Sequence, residues 1–308
     1  VLAIAVGVLV GLSAPGPASE LSGAITPVLA LLLFATFLGV PLWELGRAFR
    51  DLRFIATVVV VNFAVVPVVV WGLSRCVADH RGVLIGLLLV LLTPCVDYVV
   101  VFTGLAGGAR ARLLAATPLL MVLQMLLLPL YLLLFAGAEV AALIDPAPFL
   151  DAFLYLIVLP LVAAALVQVL ARRSRVAQHT ETVMAGAMVP LMMATLCVVF
   201  ASQTAAVGSQ ALALLRVVPL YAAFLAVMLG VGLLAARLAR LDVPGARAAV
   251  FSGATRNSLV VLPLALALPN TLALAPLAVV TQTLVELVGM VVFLRLVPRL
   301  TPQRARKI

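Results

Sequence analysis

Three charged residues stand deep inside otherwise apolar runs of this chain: Asp97, Arg256 and Glu286. Charge at membrane depth is costly, so it marks places where something is bound, paired or protonated. Asp97 belongs to Thr93-Pro94-Cys95-Val96-Asp97-Tyr98. Pro94 has no amide hydrogen, so it disrupts a helix and frees carbonyls on the preceding turn. Freed backbone groups are tolerated at depth only where protein or a watery cavity satisfies them. The segment therefore reads as an ion or substrate site, with Thr93, Pro94, Cys95 and Asp97 in it. Cys95 is a soft ligand once deprotonated. Tyr98 reads as packing.

The second segment is Gly253-Ala254-Thr255-Arg256-Asn257-Ser258. Four consecutive polar residues in an apolar span cannot all face lipid. Gly253 permits close helix approach. Thr255, Asn257 and Ser258 offer oxygens to a cation or a substrate. Arg256 either binds an anionic substrate or neutralises Asp97 or Glu286. The third segment is Gln282-Thr283-Leu284-Val285-Glu286, where Gln282 and Glu286 share a helix face four residues apart. Glu286 is placed to carry protons, ligate sodium or pair with Arg256. Asn62, Gln124 and Gln203 are lone polar residues within spans and read as interhelical hydrogen-bond partners. Cys76 and Cys197 read as packing, and the three cysteines suggest neither a disulfide framework nor a zinc site.

The elements that must hold these residues follow from composition. The 308 residues are 66 % hydrophobic and 10 % charged. Soluble domains are about 45–50 % apolar and about 25 % charged. Disorder, a disulfide scaffold and a nucleic-acid module are excluded despite a net charge of +9. A spanning helix needs roughly 20 apolar residues. Apolar stretches, most of them free of charge, mark ten spans: Val1–Leu12, Leu21–Trp43, Phe54–Ser74, Gly82–Gly107, Leu113–Ala138, Ala152–Ala171, about Val183–Gln203, Val217–Ala236, Ala248–Leu268 and Leu272–Val297. The chain starts inside an apolar run, so Val1–Leu12 reads as a clipped first helix. The stretch from Gln203 to Leu215 reads as a loop.

Basic residues set the orientation. Arg47, Arg50, Arg53, Arg110, Arg112, Arg172, Arg173, Arg175, Arg237, Arg240, Arg247, Arg299, Arg304, Arg306 and Lys307 fall on one side, against Arg75, Arg81 and Arg216 on the other. The loop holding Glu139, Asp145 and Asp151 is acidic. Both termini are then cytoplasmic, in a cell membrane. Five spans per half make two halves of opposite orientation. The first repeat and helix six occupy 1–176, the rest of the second repeat occupies 177–308, and the repeat boundary lies near 140–150. An offset of 163 carries Pro27 to Pro190, Arg53 to Arg216 and Pro94 to Asn257. Paired interrupted helices at matching positions point to a transporter site near the bilayer midplane. The fold expected is an all-α integral membrane protein of two inverted five-helix repeats, with broken helices four and nine crossing.

At these two breaks the sequence resembles the bile acid:sodium symporter (BASS) superfamily, and within it arsenite efflux permeases of the ACR type and bacterial arsenic-resistance proteins. Thr93-Pro94-Cys95 leading into Asp97-Tyr98-Val99-Val100-Val101-Phe102 is the strongest likeness. Gly253–Ser258 resembles the broken ninth helix, and Leu284-Val285-Glu286 resembles a Leu-Val-Glu segment of the last helix. The resemblance implies a secondary transporter that exports arsenite, with Cys95 as the arsenite ligand. Arsenite permeases usually carry a Glu just after the break of helix nine, where this chain has Leu259, with Arg256 inside the break. The alternative is a sodium-coupled symporter of an organic anion, with Thr255, Asn257, Ser258 and Glu286 on sodium and Arg256 on the anion. Either way the coupling ion is Na+ or H+, and the partners are a small-molecule substrate and the lipid bilayer. An enzyme is not expected. Cys95 would be the nucleophile, but His80 and His179 read as loop residues.

Overall fold

The computed structural model describes residues 2–13, 21–39, 51–96, 98–137, 154–209 and 214–302. Asp97, Arg47, Arg50, the acidic loop with Glu139, Asp145 and Asp151, the expected repeat boundary, and Arg304, Arg306 and Lys307 lie outside the described residues. Described residues form helices and connecting turns only. They are α1 Leu2–Ser13, α2 Ser22–Leu38, α3 Leu52–Val77, α4 Arg81–Leu91, α5 Tyr98–Leu105, α6 Arg110–Ala136, α7 Leu159–Ala171, α8 Arg175–Ser209, α9 Val217–Leu238, α10 Val243–Ala254, α11 Ser258–Leu266 and α12 Leu274–Leu300. Apolar chain in lipid must satisfy its backbone internally, which is why these runs are helical.

Among the described residues five helices are long and apolar enough to cross a membrane: Leu52–Val77, Arg110–Ala136, Arg175–Val199, Val217–Leu238 and Leu274–Leu300. The expected fourth and ninth spans are each divided, α4 from α5 and α10 from α11. One expectation needs correction at α8. The helix runs unbroken from Arg175 to Ser209, so the loop expected after Gln203 begins no earlier than residue 210. His179 is consequently a helix residue, on an exposed face.

Helices α1, α2, α7 and α8 pack on one another as a panel. Gln168 of α7 ties it to α2 by donating to the Phe37 and Leu38 carbonyls, at 3.2 and 3.1 Å. The remaining helices form a second group around the broken pairs. In its most apolar window α12 is 56 % buried and α8 only 12 %, which puts α12 inside the bundle and α8 at its margin. Outward apolar residues such as Val68, Leu126, Val169 and Val288 are exposed, as a lipid-facing surface requires. Close contact is made where side chains are smallest. A Cβ on Gly86 would stand 2.5 Å from the Ala275 carbonyl oxygen and 2.8 Å from the Ala278 Cβ, so α4 and α12 meet almost backbone to backbone.

The helix ends fall into two groups. At one end Asp51 caps α3 by accepting from the Phe54 amide at 3.1 Å, and Asp242 caps α10 by accepting from Gly245 at 3.2 Å. Arg112 bridges both carboxylates, at 3.2 and 2.6 Å. Arg247 lies nearby. It is not a loop cation, as its count among the orienting residues implies, but a nearly buried member of α10. It donates to the Ala106 carbonyl past the end of α5, and to the Thr301 hydroxyl and carbonyl past the end of α12, at 2.8, 2.9 and 3.0 Å. The other end holds Asp79, His80 and Arg216, with Arg216 3.4 Å from Asp79.

Candidate functional site

The two breaks meet. Pro94 and Arg256 face each other as an antiparallel pair. The Cys95 amide donates to the Thr255 carbonyl at 3.2 Å, and the Asn257 amide donates to the Thr93 carbonyl at 2.9 Å. Each break thus satisfies the backbone groups that the other leaves open, which is the condition for unwound chain at depth. Thr93 and Thr255 close their helices alike. The Thr93 hydroxyl donates to the Leu89 carbonyl at 2.9 Å, and the Thr255 hydroxyl to Phe251 at 2.7 Å. Asn257 caps α11 by accepting from the Val260 amide at 3.3 Å. The paired residues are 162 apart, one less than the offset that matches Pro27 with Pro190. That shift carries Thr93 onto Thr255 and Leu89 onto Phe251. It brings Arg81–Leu91 onto Val243–Ala254, and Leu52–Val77 and Arg110–Ala136 close to Val217–Leu238 and Leu274–Leu300.

Arg256 is fully buried. Its guanidinium donates to the Asn62 side-chain oxygen at 2.8 Å and to the Ser252, Gly253 and Leu91 carbonyls at 2.9, 2.6 and 3.3 Å. It lies 5.4 Å from the centre of the Phe224 ring, within cation–π range. Asn62 is aimed by a π turn over Val61–Val65 in α3, and it also donates to the Ser252 hydroxyl at 3.1 Å. Gly253 lets this happen: a Cβ there would be 2.8 Å from Val61.

Glu286, also fully buried, lies on the backbone side of Arg256. Its Oε2 accepts from the Arg256 amide at 2.8 Å and from the Gln282 side chain, and its Oε1 accepts from the Tyr98 hydroxyl at 2.6 Å. The Tyr98 oxygen is also 3.1 Å from the Arg256 carbonyl. Of the alternatives for Arg256, the expected neutralisation of Glu286 takes a different form. The carboxylate meets the backbone N–H and the guanidinium turns to neutral oxygens.

Every expected site residue other than Asp97 is present at or beside this crossing: Thr93, Pro94, Cys95, Thr255, Arg256, Asn257, Ser258, Gln282 and Glu286. Cys95 is buried and in no disulfide. Buried polar atoms without a partner cluster here: the Asn257 Nδ2, the Ser258 Oγ, the Gln282 Oε1 and the Arg256 Nε. Among the described residues no three His, Cys, Asp or Glu side chains gather as metal ligands. Three participants are not evident from sequence. Tyr98 is a hydrogen-bond donor to the central carboxylate rather than packing. Ser252 and Phe224 hold Arg256. Only Ser252 had a signal, standing one helical turn before Arg256.

Broken helices crossing inside an apolar bundle, with a buried charged centre at the crossing, define an integral membrane protein of the transport class. The chain matches the Sodium Bile acid symporter family over residues 26–210, and it belongs to that family. The matched stretch includes the first break, while Arg256 and Glu286 lie beyond it. No curated protein matches the chain.

Proposed function

We propose that this protein is a secondary active transporter of two inverted five-helix halves, that its solute passes the helix crossing, and that the solute is arsenite, exported from the cell. The observation carrying this reading is the engagement of Arg256. Its guanidinium donates to four protein oxygens, which leaves only the Nε as a buried donor without a partner for an organic anion. What the crossing still offers is the Ser258 hydroxyl and one unpartnered atom on each of the Asn257 and Gln282 amides, and the buried Cys95 thiol stands in the same break. Arsenite is largely neutral at physiological pH and needs no counter-charge. A thiol and hydroxyl oxygens suit it as a soft solute. The shift of 162 residues that superposes helix bounds supports the two halves. Both termini face the cytoplasm on the count of basic residues. Glu286, reached by three donors, is the group that exchanges a proton as solute passes, and Asp97 would assist it.

Expression in an arsenite-sensitive host without its own pump tests the reading. Wild type and Cys76→Ala raise tolerance, and Cys95→Ala does not. Equal tolerance from wild type and Cys95→Ala at matched membrane levels refutes it.

The family match favours a second reading, sodium-coupled uptake of an organic anion, with the Ser258 and Gln282 oxygens and Glu286 on the sodium ion. Uptake into proteoliposomes that is unchanged when sodium is replaced by potassium counts against it.

A further inference from the structure

The oxygens around Arg256 come from helix ends that carry partial negative charge. Leu91 is the last residue of α4, and Ser252 and Gly253 are in the last turn of α10. Unpaired carbonyls at helix C-termini, concentrated by the helix dipole, attract cations. In transporters with broken helices such half-helix carbonyl ends coordinate a coupling cation. Asn62 adds a fourth oxygen from α3, and the Phe224 ring closes the site with a face that also favours positive charge. All of these groups are neutral, buried and convergent on one volume. A side chain carries the positive charge into it.

We infer that the Arg256 guanidinium is a tethered cation, filling an oxygen-lined site that would otherwise take a monovalent metal ion, so that this site in the protein needs no sodium. The fit is chemical. Guanidinium is planar, permanently charged and weakly hydrated, and it donates to several oxygens at once. No carboxylate lies among its hydrogen-bond partners, so the site is neutral without a cation and singly positive with one. A sodium ion would give the same charge and could use the same oxygens. Tethering fixes the stoichiometry at one cation per chain and makes occupancy independent of the gradient. The inference concerns the occupant of the site and stands whatever the solute is.

Thermal unfolding of the purified full chain in detergent tests it without a transport assay. Sodium, potassium and choline chloride are compared at constant ionic strength, with guanidinium chloride titrated in the low millimolar range, below denaturing levels. Wild type should show no sodium stabilisation that Asn62→Leu removes, whereas a sodium ion held by Ser258, Gln282 and Glu286 would give an effect that survives Asn62→Leu. Arg256→Ala should unfold lower, and the loss should be recovered saturably by guanidinium or sodium but not by choline, since a ligand stabilises only the state that binds it. A recovery of about 3 °C or more at a hundred times the dissociation constant is expected. Arg256→Ala that is destabilised and recovered by none of these ions overturns the inference, and so does Arg256→Ala that is not destabilised. Should Arg256→Ala fail to fold in any salt, wild type and Asn62→Leu decide. Saturable stabilisation of wild type by sodium that Asn62→Leu abolishes would show a metal ion already sharing these oxygens, against the inference. Sodium indifference in both would support it.

Discussion

Tyr98→Phe removes a single oxygen and keeps the ring, including its edge contact with Phe102 at 6.3 Å between centroids. The oxygen removed is one of three donors to Glu286, whose carboxylate is sealed from solvent. A hydrogen bond to a buried charged acceptor contributes about 1.5–3 kcal/mol, while interhelical hydrogen bonds in membranes average roughly 0.6 kcal/mol with a maximum near 1.7. The bond is short and charge-assisted, so the upper part of the membrane range and the lower part of the charged range apply, about 2 kcal/mol. For a chain of this size that lowers the midpoint of thermal unfolding by about 4 °C. The assay is unfolding in detergent of wild type, Tyr98→Phe, Glu286→Gln and the double variant. Because the two side chains share one bond, the double variant should be less destabilised than the two single losses added together. A Tyr98→Phe midpoint within about 1 °C of wild type, or strict additivity in the double variant, would refute the role assigned to Tyr98.

Other expected outcomes concern the frame around the crossing. Gly86→Ala drives a methyl group into the Ala275 carbonyl, and should cost about 3 kcal/mol or more and lower the yield of folded protein on size exclusion. Gly23→Ala, with nothing within 4 Å of the added carbon, should be neutral or raise the midpoint slightly. Arg247→Met strands the Ala106 and Thr301 carbonyls. It should cost about 3 kcal/mol, and hydrogen exchange should rise at the ends of α5 and α12. Asp242→Asn loosens the half-exposed pair with Arg112. Its effect should stay below about 1 kcal/mol and shrink as salt is added.

The broad features were legible because each rests on local chemistry. Pro94 and the run from Thr255 to Ser258 announce breaks wherever they occur, and basic residues between apolar runs announce ends. Glu286 and Arg256 stand out because charge is rare in lipid. The way they meet was not legible. Backbone pairing between Thr93 and Asn257 depends on how two helices cross, and sequence carries no direct signal for that. Tyr98 in an apolar run serves equally as packing or as donor, and only the position of α12 decides between them. Arg247 resembles its neighbours Arg237 and Arg240. Its burial follows from the ends of two elements converging on it, more than fifty residues away in either direction. The end of α8 was misplaced for a simpler reason: Ser202, Gln203 and Thr204 are polar but do not by themselves stop a helix, and no Pro follows them before its end.

Pro94 reduces the number of buried N–H groups that the crossing has to match with an acceptor. In the antiparallel pair the hydrogen bonds run through the flanking residues, so the backbone groups of the central two point outward. On one side the outward N–H belongs to Arg256, and burial obliges the protein to supply an acceptor, which is Glu286. On the other side stands a residue with no N–H at all. Carried back by 162 residues, Glu286 becomes Gln124, a buried neutral amide whose two ends have no partner. An imino acid in one half and an ordinary amino acid in the other make the proposed two-fold unequal at its own axis. The asymmetry leaves a single outward N–H to be matched by a buried acceptor where strict symmetry would have required two.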